Sequence, residues 1–256
     1  MIKLIASDLD GTLLRNGAQE INPEIFDLIL RLKEKDIHFA AASGRQLYSQ
    51  RCLFAPVKDE ISYIAENGSL CICQGKVISK GIIERSLGLQ IIKASREFGS
   101  CHTLLSCESH CYTDSDSQEF IRHMRDELHN DIHYCPDLTS ITEPFLKLAA
   151  CDFHGTTYLL PYFKEKFGAQ IDVVTSGNLW VDFIAPGANK GTALKRLADH
   201  LGIRPEECIA FGDQYNDIEM LQFAGCGYAM KDCAPGVERY ADASTDSVEK
   251  VLRKLL

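Results

Sequence analysis

This 256-residue sequence lacks the apolar run of roughly 20 residues that a membrane-spanning helix needs. Its N-terminus also lacks a basic stretch leading into an apolar segment with a small-residue cleavage site, because strand-like apolar residues begin at once. We therefore predict a cytoplasmic protein with no membrane partner.

An excess of positive charge is also missing. The chain carries 36 acidic residues against 27 Lys and Arg, for a formal net charge of -9, and neither sign is gathered in a tail. Binding to a nucleic-acid backbone needs a basic surface, so the charge argues against nucleic acid as a main partner. A small anion can still bind where a few cationic groups meet. The sequence leaves the oligomeric state open.

Cysteine, by contrast, is abundant. Eleven cysteines are an odd number for a framework of paired disulfides, and the chain is much longer than a typical disulfide-rich mini-protein. We predict reduced thiols that are mostly buried and behave as small apolar side chains.

Apolar runs of strand length alternate with helical patterns at both ends of the chain. The strand-like runs are Lys3–Ser7, Ile37–Ala42, Tyr63–Ala65, Cys208–Phe211 and Cys226–Met230. A helix is predicted over Pro23–Lys35 with Asn22 as N-cap, and another over Thr192–Leu201, ending at Gly202. This order predicts an α/β fold with a doubly wound, Rossmann-like parallel sheet, which binds ligands beyond the carboxyl ends of its strands.

The middle of the chain has a different pattern. Strand-like and helical stretches are mixed there, at Cys101–Leu105, Gln118–Leu128, Phe145–Cys151, Tyr158–Phe167 and Leu179–Ile184. We predict an inserted α+β domain over residues 83–186, with the core formed by residues 1–82 and 187–256. Its hinges are expected near Gly81 and Pro186–Gly187.

The segment Asp8-Leu9-Asp10-Gly11-Thr12 directly follows the first predicted strand. One carboxylate can act as a nucleophile, and its neighbour can donate a proton to a leaving group and later activate water. The alternative is a structural turn or helix cap, for which Asp and Gly are equally suited.

Two further segments offer groups that can bind a phosphoryl anion. Ser43-Gly44-Arg45 follows a strand and is predicted to open a helix, whose N-terminus attracts anions. Lys190 stands at the start of another helical segment and supplies a compact cation. The structural alternatives are an ordinary N-cap serine and a solvated surface lysine.

A fourth segment, from Gly212 to Asp217, again places two carboxylates at a strand-to-helix turn. Oxygen ligands of this kind suit Mg2+. A carboxylate that attacks a phosphate monoester meets like charge, which a metal ion and a lysine can neutralise.

Together these segments resemble, in order, the four motifs of the haloacid dehalogenase (HAD) superfamily. The matching residues are Asp8-x-Asp10-Gly-Thr, Ser43, Lys190 and Gly212-Asp213-x-x-Asn216-Asp217. Three segments are also similar to the Cof-type subgroup of sugar-phosphatase-like hydrolases: Ser43-Gly44-Arg45, Glu66-Asn67-Gly68 and Gly187-x-Asn189-Lys190-Gly191. The motifs cover both ends of the chain, and in the middle only the position and size of the insertion match. The resemblance implies a HAD core with a C2-type cap of the C2B class that sets substrate specificity.

The resemblance also implies a role for each matching residue. It makes Asp8 the nucleophile and Asp10 the general acid and base. The implied Mg2+ ligands are Asp8, Asp10 through its carbonyl, Asp213, and Asp217 through water. The implied substrate-binding and phosphate-binding residues are Leu9 through its backbone N–H, Ser43, Gly44, Arg45, Asn67, Lys190 and Asn216.

Three functions remain open at this point. The resemblance favours a Mg2+-dependent phosphatase that acts on a small phosphate monoester of the sugar phosphate, nucleotide or pyridoxal phosphate type, and Asp10 favours this over dehalogenation. A phosphotransferase or mutase would use the same intermediate on Asp8. A phosphometabolite-binding module without catalysis is the third possibility.

Two weaker signals lie in the predicted insertion. Five side chains of metal-binding type fall together without the paired spacing of a zinc finger: Cys101, His102, Cys107, His110 and Cys111. We predict a hairpin with apolar cysteines and a polar turn at residues 108–110, and leave metal binding open. Trp180, Phe183 and Tyr112 are predicted to be core residues and not pocket-lining ones.

Overall fold

A computed structural model describes residues 1–108, 110–176 and 178–256. The chain divides into two compact units. The core unit comprises Met1–Ser79 and Asn189–Leu256, and the inserted unit comprises Lys80–Ala188. No helix in the described ranges combines the length and apolar character needed to cross a bilayer.

The described ranges contain these elements in chain order. The strands are β1 Leu4–Ser7, β2 His38–Ala42, β3 Ser62–Ala65, β4 Leu70–Cys73, β5 Lys76–Lys80, β6 His102–Ser106, β7 Cys111–Thr113, β8 Ile132–Tyr134, β9 Lys147–Cys151, β10 Asp172–Ser176, β11 Trp180–Ile184, β12 Cys208–Gly212, β13 Cys226–Met230 and β14 Ala243–Thr245. The α-helices are α1 Pro23–Lys33, α2 Leu47–Leu53, α3 Arg85–Phe98, α4 Gln118–Arg122, α5 Leu159–Phe167, α6 Lys190–Leu201, α7 Ile218–Phe223 and α8 Val248–Leu252.

The core unit is built on an eight-stranded sheet in the order β14-β13-β12-β1-β2-β3-β4-β5. The neighbours from β14 to β3 are parallel, as predicted. The far edge departs from a purely parallel sheet, because β4 runs antiparallel to β3. Gln74 and Gly75, both with positive φ, make the two-residue turn into β5. The prediction missed this edge.

The two predicted core helices form for the expected local reasons. The Asn22 side chain accepts a hydrogen bond from the Glu24 N–H (3.1 Å) at the start of α1, and Pro23 occupies the first turn. Helix α6 starts two residues before the predicted Thr192, because Asn189 is its N-cap. This cap places Lys190 at the first helical position.

The core sheet is covered on both faces. Leu4 and Ala6 of β1 pack with side chains of α6 and α7, whereas Ile5 points to the opposite face by strand alternation and is fully buried. Near-continuous apolar strands are expected where both faces are covered. Full burial of a Leu or Ile side chain contributes about 1.5–3 kcal/mol.

Glu207, just before β12, anchors the start of this sheet to β1. Its carboxylate pairs with Lys3 Nζ (2.9 Å) and accepts the Arg204 N–H (3.1 Å), which lowers the pKa of Glu207 from 4.5 to about 2. A carboxyl group with a depressed pKa stabilises the fold above pH 4.5, where it is ionised. This stabilisation is lost as the pH falls towards 2.

We therefore expect Glu207→Gln to lower the urea midpoint at pH 7, with the difference from wild type shrinking as the pH falls from about 5 to about 3. Glu206→Gln is the control, because it removes a neighbouring but exposed carboxylate. A difference for Glu207→Gln that stayed constant over this pH range would contradict the assignment.

The inserted unit has a six-stranded sheet in the order β10-β11-β9-β6-β7-β8. Helices α3 and α5 pack on one face, around Leu148 and Phe183, and α4 packs on the other, around Leu104 and Ala149. The predicted helix over 118–128 is α4 followed by a π-helical turn, His123–Glu127. This mixed unit matches the predicted α+β character.

The predicted hairpin is confirmed, since β6 and β7 pair antiparallel. Cys107 and Cys111 are buried, and none of the eleven cysteines, all of which lie in the described ranges, forms a disulfide. Ser109, in the predicted turn, lies outside the described residues. Phe183 is a core residue as predicted, whereas Trp180 and Tyr112 are only partly buried.

Candidate active site

The predicted site residues of the core unit begin where the central strands end. The Asp8 N–H donates to the Phe211 carbonyl (3.0 Å), which continues the parallel pairing of β1 with β12 beyond Ser7. Strand β2, on the other side of β1, ends directly before Ser43. Strand β2 lies on one side of β1 and β12 lies on the other. The carboxyl ends of these strands therefore form the topological switch point, where such sheets bind ligands.

A tight turn after β1 brings the segment from Asp8 to Thr12 against Asp213. The Leu9 carbonyl accepts the Leu13 and Leu14 N–H groups (2.9 and 2.7 Å), and Gly11 adopts a left-handed φ of 93°. A Cβ on Gly11 would lie 2.2 Å from Asp213 Oδ2, so only glycine allows this approach. The side chain of Leu9 is fully buried, which leaves its predicted contribution to the backbone.

Two side chains outside the predicted site residues, Thr12 and Gln214, also contact the site. Thr12 Oγ1 donates to Asp213 Oδ1 (3.1 Å), while Gln214 Nε2 donates to Asp213 Oδ2 (3.1 Å). Both residues orient the Asp213 carboxylate. Thr12 belongs to the first motif, so the sequence offers a signal for its role. Gln214 stands at one of the x positions of the fourth motif, where the sequence offers none.

Lys190 is the central cation of the site. Its Nζ lies 2.6 Å from Asp8 Oδ1 and 2.6 Å from Asp217 Oδ1, and its side chain is 1% exposed. The interpretation of Lys190 as a solvated surface lysine is therefore wrong. The two ion pairs join helix α6 to the end of β1 and to the loop after β12.

Asp217 receives backbone donors as well. Its Oδ2 accepts the N–H groups of Asp213 (2.9 Å) and Gln214 (3.0 Å), so both carboxylate oxygens are engaged by protein groups. Asp217 thereby shapes the loop after β12 and holds Lys190.

Burial and like charge perturb the acids of this cluster. Loss of hydration, and then the Asp217 charge, raise the pKa of Asp8 well above its usual value despite the attraction of Lys190. The same two causes raise the pKa of Asp213. Burial alone would lower the pKa of Lys190, but Asp217 and Asp8 raise it above its usual value. The cluster carries more negative charge than its one lysine compensates.

The donor set fits a hard divalent cation. Carboxylate oxygens of Asp8, Asp213 and Asp217 lie within 4.8 Å of one another. Asp8 Oδ2 is buried and has no hydrogen-bond partner, which is costly unless a cation or a substrate completes it. The oxygen ligands and the buried negative excess of this cluster suit Mg2+.

The residues predicted to bind phosphate form a second linked group. The Asn67 N–H donates to the Ser43 carbonyl (3.0 Å), and Asn216 Nδ2 donates to Asn67 Oδ1 (3.0 Å). A Cβ on Gly44 would lie 3.0 Å from the same Asn67 oxygen. Asn216 thus connects the loop after β12 to the loops after β2 and β3.

The prediction that Ser43-Gly44-Arg45 opens a helix is wrong. Helix α2 begins at Leu47, with Gln46 as its N-cap. Ser43 Oγ instead accepts the Arg45 N–H (3.1 Å), and the Arg45 carbonyl accepts the Glu66 N–H (3.1 Å). The carbonyls of Ser43 and Arg45 thus pair with the loop after β3 and not with a following helical turn.

Arg45 contacts the second acid of the first motif. Its Nε and Nη2 donate to Asp10 Oδ2 (2.8 Å) and Oδ1 (2.6 Å), a bidentate geometry. The Asp10 side chain is 53% exposed, whereas that of Asp8 is 6% exposed. The two carboxylates of the motif therefore occupy different environments, as two different chemical roles require.

Backbone strain is concentrated in the loop after β3. Glu66, Asn67 and Gly68 all have left-handed φ values, of 51°, 57° and 95°. A Cβ on Gly68 would lie 2.2 Å from the carbonyl oxygen of Asn189, the N-cap of α6. Close contact between these two backbones fixes the position from which Lys190 extends.

We expect Gly68→Ala to destabilise the protein by about 3–5 kcal/mol, because a backbone clash adds to the left-handed strain. Gly75→Ala is the matched control: its φ is 74°, but nothing lies within 4 Å of an added Cβ. The control should cost only about 1–2 kcal/mol. If chemical denaturation showed the same loss of stability in both variants, the contact with Asn189 would not be important.

Comparison with known proteins bears on these observations. The model of the haloacid dehalogenase-like hydrolase family matches residues 5–253. The chain is 26% identical over 265 aligned positions to 5-amino-6-(5-phospho-D-ribitylamino)uracil phosphatase of Escherichia coli, covering 98% of this chain and 97% of the relative. It is 26% identical over 239 positions to HMP-PP phosphatase of Citrobacter koseri, covering 92% and 86% of the two chains.

Solved structures agree on the fold. A protein of Thermotoga maritima aligns with a TM-score of 0.85 at 26% identity, covering 99% of this chain and 97% of that one. A haloacid dehalogenase-like hydrolase from Bacteroides thetaiotaomicron aligns over 100% of both chains with a TM-score of 0.88 at 24% identity. The fold, the family match and the four converging segments lead to one conclusion: this chain belongs to the haloacid dehalogenase-like hydrolase family, in its Cof-type subfamily, and is a phosphatase.

Proposed function

We propose that the protein hydrolyses a phosphate monoester of a small metabolite through a phosphorylated Asp8. The observation that carries the proposal is the Asp8 carboxylate, buried beside Lys190 with one oxygen that has no hydrogen-bond partner. An ordinary structural aspartate at such a position would have both oxygens satisfied. An unsatisfied oxygen at the switch point of the sheet suits a nucleophile.

In the first step Asp8 attacks phosphorus, and the bond from phosphorus to the ester oxygen breaks. Asp10 gives its proton to the departing alkoxide. In this structure Arg45 holds both Asp10 carboxylate oxygens, so this contact has to open for Asp10 to carry and transfer the proton. Lys190 offsets the like charge that Asp8 and the phosphate bring together.

In the second step Asp10 takes a proton from water, which attacks the phosphorus of the aspartyl phosphate and restores Asp8. Ser43, Gly44, Lys190 and Asn216 bind the phosphoryl oxygens, with the Leu9 backbone N–H alongside and Asn67 nearby. Mg2+ held by Asp8, the Asp10 carbonyl and Asp213, with Asp217 supporting through water, would supply charge neutralisation for both steps.

The substrate class is proposed from the relatives. The two named phosphatases act on a phosphoribitylamino-uracil and on HMP-PP, both small phosphorylated metabolites. We propose the same broad class here, including sugar phosphates, nucleotides and pyridoxal phosphate. Residues 83–186 would form a C2-type cap of the C2B class that selects the leaving group.

Phosphate release from a panel of these compounds, with Mg2+ or with EDTA, tests the proposal. We expect turnover with Mg2+ and a loss of at least about 100-fold in EDTA, because the buried carboxylates then repel the substrate. Release of free phosphate supports hydrolysis, whereas appearance of a phosphorylated acceptor would favour a phosphotransferase or mutase. Substrate binding without Mg2+-dependent turnover would indicate a binding module.

A further inference from the structure

A second group of metal-binding side chains lies within the inserted unit. His110 Nδ1 is 2.8 Å from Asp131 Oδ2, and His133 Nε2 is 3.1 Å from Asp131 Oδ1. One ligand atom from each of these three residues lies within 4.8 Å of the other two. The proposed catalytic chemistry uses none of them.

Strand pairing brings these side chains together. Strands β7 and β8 are parallel with Cys111 opposite Ile132, so His110 and Asp131, each one residue earlier, lie side by side. The Cys111 N–H donates to the Asp131 carbonyl (3.1 Å), which extends the pairing to this point. His133 follows Asp131 by two residues and therefore shares its face of the sheet.

The register of these strands is fixed by their opposite face. Cys111 is fully buried and Ile132 is 8% exposed, and both pack with Phe120 and Met124 beneath the sheet. A shift of one residue would turn these apolar side chains outward and the imidazoles inward. The three potential ligands are thus held by packing that does not depend on a metal ion.

We propose that His110, Asp131 and His133 form a binding site for a Zn2+ ion. Two imidazole nitrogens and a carboxylate oxygen are a donor set that zinc and similar transition cations prefer, whereas Mg2+ prefers oxygen alone. Ligand atoms of a tetrahedral zinc site are about 3.3 Å apart, given bonds of about 2.0–2.1 Å. The observed separations of 2.8 and 3.1 Å run from the two imidazole nitrogens to different oxygens of Asp131, so the side chains would have to shift to bring one ion within bonding distance of all three residues.

The surroundings leave room for a further ligand. The three side chains are between one third and one half exposed, so an ion can enter from solvent, and water can occupy the fourth position. The Cys111 thiol does not contribute, because its Sγ is buried beside Ser106 Oγ (3.3 Å) on the opposite face of the sheet. The proposed site therefore differs from the cysteine-containing cluster that the sequence offered at 101–111.

Zn2+ binding to the full chain in excess Mg2+ tests this proposal, since Mg2+ competes at the catalytic carboxylates. Equilibrium dialysis should show one site per chain that His133→Ala and Asp131→Asn each weaken by at least about tenfold, as is typical even for supporting residues of metal sites. His154→Ala is the matched control, because His154 also pairs with an aspartate, Asp152 (2.9 Å), and is exposed. It should bind Zn2+ like wild type.

Imidazole nitrogen NMR provides a second readout that does not depend on phosphatase activity. Zn2+ should shift the ring signals of His110 and His133 and leave that of His154 unchanged. Equal Zn2+ affinity in wild type, His133→Ala and Asp131→Asn would overturn the proposal and place the ion on thiols or catalytic carboxylates. Unchanged signals of His110 and His133 in Zn2+ at millimolar concentration would also overturn it.

Discussion

Replacing Asp8 by Asn should reduce phosphate release by about 10⁴-fold or more, because the proposed nucleophile is removed and the covalent intermediate cannot form. The same change should not destabilise the metal-free protein at pH 7. A buried acid whose pKa is raised binds protons more tightly when folded, so its ionisation lowers stability as pH rises towards that pKa. A neutral side chain of the same size removes this effect. Asp8→Asn should therefore lose phosphatase activity without a fall in the melting temperature measured in EDTA.

Asp27→Asn is the control for this experiment. It makes the same charge change at an exposed position of α1 and should leave activity unchanged. Mg2+ should raise the melting temperature of wild type more than that of Asp8→Asn, because the variant lacks one proposed ligand. Phosphatase activity of Asp8→Asn within tenfold of wild type would rule out Asp8 as the nucleophile.

Replacing Lys190 by Met should destabilise the metal-free protein by about 3–5 kcal/mol, because the buried carboxylates of Asp8 and Asp217 lose their shared cation. Turnover should fall by at least about 100-fold, since the charge proposed to stabilise the transferred phosphoryl group is removed. Urea denaturation and steady-state kinetics measure the two effects.

Lys195→Met provides the comparison on the same helix. Lys195 pairs with Asp199 one turn later (2.8 Å), but its side chain is 59% exposed, so its loss should cost at most about 0.5 kcal/mol. The double change Lys190→Met with Asp217→Asn should recover part of the lost stability, because it removes one of the unpaired charges. A single Lys190→Met variant as stable as Lys195→Met would contradict a tightly coupled buried cluster.

Much of the core could be predicted because its signals are local. Strand-length apolar runs such as Lys3–Ser7, each followed directly by polar residues, indicated both a parallel sheet and the edge at which these residues meet. Asn22 and Gly202 marked helix ends through short-range hydrogen bonds and backbone freedom. The order of the four segments along the chain is enough to indicate the family.

Other features could not be predicted, because they depend on which loops face each other. Helix α2 begins only at Leu47, beyond the carbonyls of Ser43 and Arg45 that pair with the loop after β3, and β4 runs antiparallel to β3. The contact of Arg45 with Asp10 joins two loops through side chains alone. Sequence spacing carries no information about such a pairing.

The sequence by itself determined the family, since two carboxylates after the first strand, a serine, a lysine and further carboxylates follow in the order of its four motifs. Only the tertiary structure decided that Lys190 is buried between Asp8 and Asp217, and that His110 meets Asp131 and His133 instead of the neighbouring cysteines. The physical reason is that side-chain charge is encoded locally, whereas burial and pairing arise from strand order and packing between distant segments.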